Sequence, residues 1–147
     1  MRQTLLLSAL LFSILICGQS NISNLKIENL NLDKLALSEV FDGERNTLIS
    51  IGGTWCQPCL LQKPFVASLG HQYPQYLKVI FLFWRDTPEK IVSTFGGSND
   101  LTNYFLVNTT AVNQLNLTKY PTHILVDSKG NIIKNDVSIN DVGDLIK

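Results

Sequence analysis

Residues 77–84, Leu-Lys-Val-Ile-Phe-Leu-Phe-Trp, narrow the fold of this chain more than any other stretch. A run of strand length that is nearly all apolar, β-branched or aromatic reads as a central strand covered on both faces. A sheet packed between two layers of helices satisfies it. The flanking sequence supplies the parts. Thr47–Ile51 is a second strand run, stopped by Gly52-Gly53, and Tyr104–Val107 is a third. Thr122–Asp127 and Asn131–Asn135 are joined by Ser128-Lys129-Gly130, a link short enough to force an antiparallel hairpin. Leu25–Leu37 reads as edge strands or an extended lead-in, followed by a helical turn at Ser38–Phe41 and a turn at Asp42-Gly43. Helical spacing runs from Cys56 to about Gly70, with Leu60, Leu61, Phe65, Val66 and Leu69 on one face and Pro64 as a kink. Thr87-Pro88 opens a helix to Phe95 that Gly96-Gly97 ends. Thr109–Leu117 and Ser138–Lys147 are further helices, the last with Val142, Leu145 and Ile146 facing inward. The order implies an α/β fold with a central mixed β-sheet flanked by helices on both faces.

The length of 147 residues and 45% hydrophobic content suit one packed domain. Twelve basic and twelve acidic residues cancel, with no Lys/Arg-rich run, so neither nucleic acid nor an anionic membrane surface is an expected partner. The first twenty residues differ from the rest. Arg2 precedes an apolar run from Leu5 to Ile16 broken only by Ser8 and Ser13, and Gly18-Gln19-Ser20-Asn21 ends it. That is the layout of a secretory signal peptide, too short for the roughly 20 apolar residues of a transmembrane helix. Cleavage after Ser20 gives a signal peptide at 1–20 and a domain at 21–147, and it makes the mature protein an exported, periplasmic or extracytoplasmic one. Cys17 stands where a lipoprotein would carry its lipidated cysteine, but Ile16 is bulky where such signals place Gly, Ala or Ser. Cleavage after Ser20 removes Cys17; lipidation, making the protein a membrane-anchored lipoprotein, is the alternative.

The mature chain then keeps two cysteines in Trp55-Cys56-Gln57-Pro58-Cys59, where an apolar strand hands over to a helix. A thiolate is the species that attacks a disulfide, and a helix N-terminus favours it through unpaired N–H groups and the positive end of the dipole. Cys56 is therefore the expected nucleophile. Cys59, three residues on and on the same face, is the expected resolving thiol, further from the dipole and more enclosed. Half of a zinc site is the competing reading of the spacing, but the two histidines, His71 and His123, lie far apart and form no paired ligand spacing. No metal and no cofactor beyond a redox-active Cys56–Cys59 disulfide is expected.

Trp55 to Cys59, Pro64, Tyr120-Pro121-Thr122 and the hairpin Asp127–Gly130 together resemble a thioredoxin-fold protein, most closely the exported thiol-disulfide oxidoreductases of the TlpA/ResA type. The resemblance spans about residues 25–147. It implies a cis bond before Pro121, a Pro121 that faces the cysteines and a Tyr120 backbone that pairs with bound substrate; Trp55, on its own chemistry, reads as a cover for the rim of the site. Protein dithiols and disulfides are then the partners, with a further protein to recharge the pair, and the working form is a monomer. Reduction of partners is the implied direction. Two positions depart from the pattern: Ser50 stands where thioredoxins bury an acid, and Gln62 stands where the TlpA/ResA type often has a glutamate. A glutamine can hydrogen-bond but cannot take a proton near neutral pH. His123 is either a nearby base or a half-buried strand histidine, His71 a solvated residue, and Trp84 packing at the end of its strand. A redox-inactive binding module and a peroxiredoxin-like peroxidase are the alternatives. Against the second, Thr54 lies two rather than three residues before Cys56.

Overall fold

The computed structural model describes residues 20–97 and 100–147. The signal peptide and Cys17 lie outside the described residues, apart from Ser20. In chain order the elements are β1 (Lys26–Glu28), β2 (Lys34–Ala36), a 3-10 turn (Leu37–Glu39), β3 (Asn46–Gly52), α1 (Gln57–Gln72), β4 (Leu77–Trp84) and α2 (Pro88–Phe95). They continue as β5 (Tyr104–Val107), α3 (Thr109–Gln114), β6 (Thr122–Val126), β7 (Ile132–Lys134) and α4 (Val142–Leu145). The strands form one sheet in the order β2-β1-β5-β4-β3-β6-β7. β4 is the middle strand, parallel to β3 and β5, and the outer pairings are antiparallel.

The apolar run of β4 is explained by what covers it. Successive side chains of a strand point to opposite faces, so both sets must find a core. Val79, Phe81 and Phe83 pack with Val66 of α1, Ile91 of α2 and Val142 of α4. Ile80 and Leu82 pack on the other face with Ala111 and Val112 of α3 and with Leu25 and Leu37 from the first segment. The register then fixes what lies beneath α1: Ser50 of β3 sits opposite His123 of β6 and beside Phe81 of β4.

Three helical expectations change. α3 stops at Gln114 rather than Leu117, because Asn116 takes a left-handed conformation with φ 51°. α4 is a single turn. Its sequence Val-Gly-Asp-Leu is a poor helix former, no side chain caps its start, and Leu145 is exposed while Val142 and Ile146 are buried. The third change concerns the inward face of α1, a helix with Pro64 inside it. Leu61 and Phe65 do not face the core; they are 64% and 65% exposed. The inward positions are Cys59, Gln62, Lys63 and Val66, which meet Gly52, His123, a set of aromatic rings and the core respectively. That i, i+3, i+4, i+7 series is a helix face, and Cys59, held against the end of β3, sets its rotation.

Candidate active site

The site begins at the carboxyl end of β3. A Cβ on Gly52 would lie 2.5 Å from Cys59 Sγ, so only glycine lets that sulfur rest against the strand end. The next turn is pinned from the neighbouring strand. The Asp86 carboxylate accepts from the Thr54 N–H at 2.6 Å and from its hydroxyl at 2.8 Å. The Trp55 indole N–H donates to the Trp84 carbonyl at 2.8 Å. Cys56 is the N-cap of α1, in an extended conformation, and its sulfur accepts the Cys59 N–H at 3.3 Å. One of the unpaired N–H groups of the helix start thus already points at the sulfur expected to ionise. Gln57 and Pro58 follow, both exposed; Pro58 lies in the first turn, where its missing N–H costs nothing.

Cys56 and Cys59 are joined in a disulfide, with Cα atoms 5.2 Å apart. The expectation that Cys59 would be the more enclosed residue is reversed: Cys56 is 5% exposed, and Cys59 is only partly buried. Cys56 occupies the corner between strand and helix, its N–H bonded to the Gly53 carbonyl, whereas Cys59 lies in the open first turn with its sulfur turned toward Gly52.

Just before β6, the Tyr120–Pro121 bond is cis. The Tyr120 ring stands edge-on to Trp55 at 5.5 Å and stacks on Trp84 at 5.2 Å, and Trp55 meets Trp84 edge-on at 6.0 Å. Trp55 is 49% exposed. Three aromatic rings therefore join the loop bearing Pro121 to the turn bearing Cys56. Burial raises the Tyr120 hydroxyl above its ordinary pKa. Arg85, itself in a left-handed conformation, lies 4.2 Å over the Trp84 ring.

Beneath α1, His123 is buried, and its Nε2 lies 3.1 Å from Gln62 Oε1. An amide oxygen only accepts, so with the amide in this orientation Nε2 carries the proton. Nδ1 is buried with no hydrogen-bond partner among the described residues. Charging the ring would bury an unpaired N–H there, and burial accordingly holds His123 below the ordinary histidine pKa, with Asp136 pulling the other way. His71 lies exposed near the far end of α1. Beside the Gln62 contact, Cys59, Ser50 and Lys63 line a cavity of about 20 Å³ floored by Phe81, Phe83 and Phe95.

The ring of Tyr120, next to Pro121, is thus brought against Trp55, next to the Cys56–Cys59 pair, and Gln62 joins His123. Asp86, Arg85, Lys63 and the aromatic role of Trp84 did not stand out in the sequence. The signal for the first two was their place just after the central strand, since sites in such sheets gather at the carboxyl ends of strands.

Solved structures share this architecture. A thioredoxin domain of a thiol-disulfide oxidoreductase from Bacteroides vulgatus superposes with a TM-score of 0.71 at 14% identity, covering 88% of this chain and 97% of that one. The fold is thioredoxin-like. A second Bacteroides vulgatus structure, described as a putative thiol-disulfide oxidoreductase, gives 0.63 at 21% identity over 82% and 88% of the two chains. An exposed lipoprotein thioredoxin from Streptococcus pneumoniae gives 0.62 at 13% identity over 82% and 96%. In sequence, the thioredoxin-like protein YneN of Bacillus subtilis is 31% identical over 89 residues, 58% of this chain and 52% of that protein. This chain therefore spans about half the length of that relative. No protein-family model matches the sequence.

Proposed function

We propose that this protein is a thiol-disulfide oxidoreductase that exchanges disulfides with protein partners through Cys56 and Cys59. The observation that carries the reading is the Cys56 sulfur at the N-cap of α1, accepting a helix N–H while disulfide-bonded to Cys59. The same hydrogen bond and the dipole end favour a thiolate there once the pair is reduced. That thiolate attacks one sulfur of a partner disulfide, and the other partner sulfur leaves. The Cys59 thiolate then attacks Cys56 Sγ in the mixed disulfide, releasing the second partner sulfur and re-forming the Cys56–Cys59 bond. The partner gains two electrons and the pair loses them. The exposed Trp55 ring and the loop at Tyr120 and the cis Pro121 form the rim on which an extended partner segment would lie.

The reading extends to an exported reductant of the TlpA/ResA type, supported by the sequence of residues 1–20 and the motif combination. The test is trapping. Cys59→Ser should accumulate a mixed disulfide between Cys56 and partner protein, because attack survives and resolution does not, whereas Cys56→Ser should accumulate little. Equal trapping by both variants, or by neither, rejects the assignment. The reduction potential against a glutathione series gives the direction: a value near −270 mV or lower marks a reductant and one near −120 mV an oxidant.

A further inference from the structure

Nothing in the exchange scheme uses Lys63, the one charged side chain on the inward face of α1 among the described residues. It lies one helical turn beyond Cys59, on the same face. Its Nζ sits 4.8 Å from the centroid of Phe81, 4.6 Å from that of Phe95 and 4.6 Å from that of Tyr104. Three ring faces turn their negative quadrupole toward one partly buried ammonium, an arrangement that holds a cation without a carboxylate. No ion pair to Lys63 is found among the described residues. Lys63 shares the cavity of about 20 Å³ with Cys59 and Ser50. At both positions where the resemblance implies an acid, Ser50 and Gln62, the side chain is uncharged. Among the described residues, the only formal charge lining the cavity of the resolving sulfur is therefore positive.

We propose that the caged Lys63 ammonium makes Cys59 a competent resolving thiol by stabilising its thiolate across this cavity. The inference rests on the exchange reading above. In the resolving step the Cys59 S–H gives its proton to water, and the thiolate forms a bond to Cys56 Sγ. The bond from Cys56 to the partner breaks, and the partner sulfur leaves with the electron pair and takes a proton from water. An acid at position 50 or 62 would receive the proton itself; Lys63 works from the other side, by favouring the anion that remains. It acts through its field on Cys59, so it is a positioning residue. Burial lowers the Lys63 pKa from the ordinary lysine value, and a thiolate nearby opposes that shift, so the two charges reinforce one another. The other titratable groups around Lys63 are Tyr104 on β5, pushed up to about 12 chiefly by burial and therefore neutral, and Arg45, His71, Lys78 and Asp100 along the groove on its outer side.

The test reads Cys59 without any partner. In a Cys56→Ala background, thiolate absorbance across pH should give a Cys59 pKa higher by about one unit in Lys63→Met and Lys63→Gln, and unchanged in Lys63→Arg. In the full pair, the chromogenic disulfide dithiobis(nitrobenzoate) releases one thiophenolate on attack by Cys56 and the second on resolution by Cys59. Lys63→Met should slow the second release about tenfold at neutral pH, leave the first unchanged, and lose the deficit once the pH exceeds the variant's Cys59 pKa. A merely structural role would slow release equally at every pH. A Cys59 pKa that does not move in either charge-free variant overturns the proposal while leaving exchange intact. Failure of Cys59→Ser to trap a partner, with the pKa shift present, overturns the exchange reading instead.

Discussion

Gln62 shows how much one side chain can alter in a site of fixed architecture. Its amide oxygen holds His123 Nε2 at 3.1 Å, with Cys59 one turn back along the same helix. Replacing that amide by a carboxylate puts a negative charge against a ring that burial holds below the ordinary histidine pKa. The sign follows: an adjacent anion favours imidazolium, so Gln62→Glu should raise the His123 pKa, by one unit or more at about this separation. Titration of the ring proton by NMR checks it, and an unmoved pKa would mean that the new side chain does not take up the position of Gln62. The same carboxylate can accept the Cys59 proton, and release of a mixed disulfide should quicken about tenfold above the pH at which it ionises, attack by Cys56 being little changed. The motif residues were legible in the sequence because their chemistry is local: two cysteines, three residues apart, at the start of a helix. The contacts of Gln62 and Lys63 were not, because each depends on strands distant in sequence, His123 through the β3–β6 register and Phe81 through the β3–β4 register.

Among the elements, β4 and α2 were readable nearly to the residue, since a continuous apolar run and a Thr-Pro start with a Gly-Gly stop each have one local meaning. α1 was not. Counting apolar residues assigned Leu61 and Phe65 to the core, yet the helix turns Cys59, Gln62 and Lys63 inward and leaves those two at 64% and 65% exposure. Apolar periodicity predicts a buried face only where burial of apolar area sets the rotation of the helix; here a sulfur against Gly52, an amide on a buried histidine and an ammonium on three rings set it instead. The consequence is measurable. Phe65→Lys should change the unfolding free energy by no more than about 0.5 kcal/mol, as for other surface substitutions. Val66→Ala, one residue further and fully buried, should cost about 2 kcal/mol. Urea unfolding of the two variants discriminates the rotations, and a larger loss in Phe65→Lys would restore the apolar-face reading.

For the molecule as a whole, a formal net charge of zero means that self-repulsion contributes little near neutral pH, so the pH dependence of stability must come from individual groups. Two sets act in separate windows. Asp42, Asp127 and Asp100 titrate below the ordinary aspartate value; for Asp42, at about 2, the bonds and charge of Arg45 outweigh partial burial. A depressed carboxylate contributes stability that is present above its unfolded pKa of about 3.9 and is lost as the pH falls further, so these groups act only in acid. His123 acts sooner. Its folded pKa is lowered, chiefly by burial, from an unfolded value of 6.5. Below that value the unfolded chain binds a proton that the folded chain refuses, so stability is complete above about pH 6.5 and falls as the pH drops toward the folded value. While only the unfolded ring is protonated the slope is about 1.4 kcal/mol per pH unit. His123→Gln can still place an amide near Gln62 but cannot titrate. Urea unfolding of the oxidised protein at a series of pH values should give a decline below pH 6.5 that the variant flattens, followed by a steeper loss in stronger acid that the variant keeps. Equal slopes for the two proteins in the upper window would mean that the folded protein accepts the proton at His123, and that the buried Nδ1 finds a partner when the ring is charged.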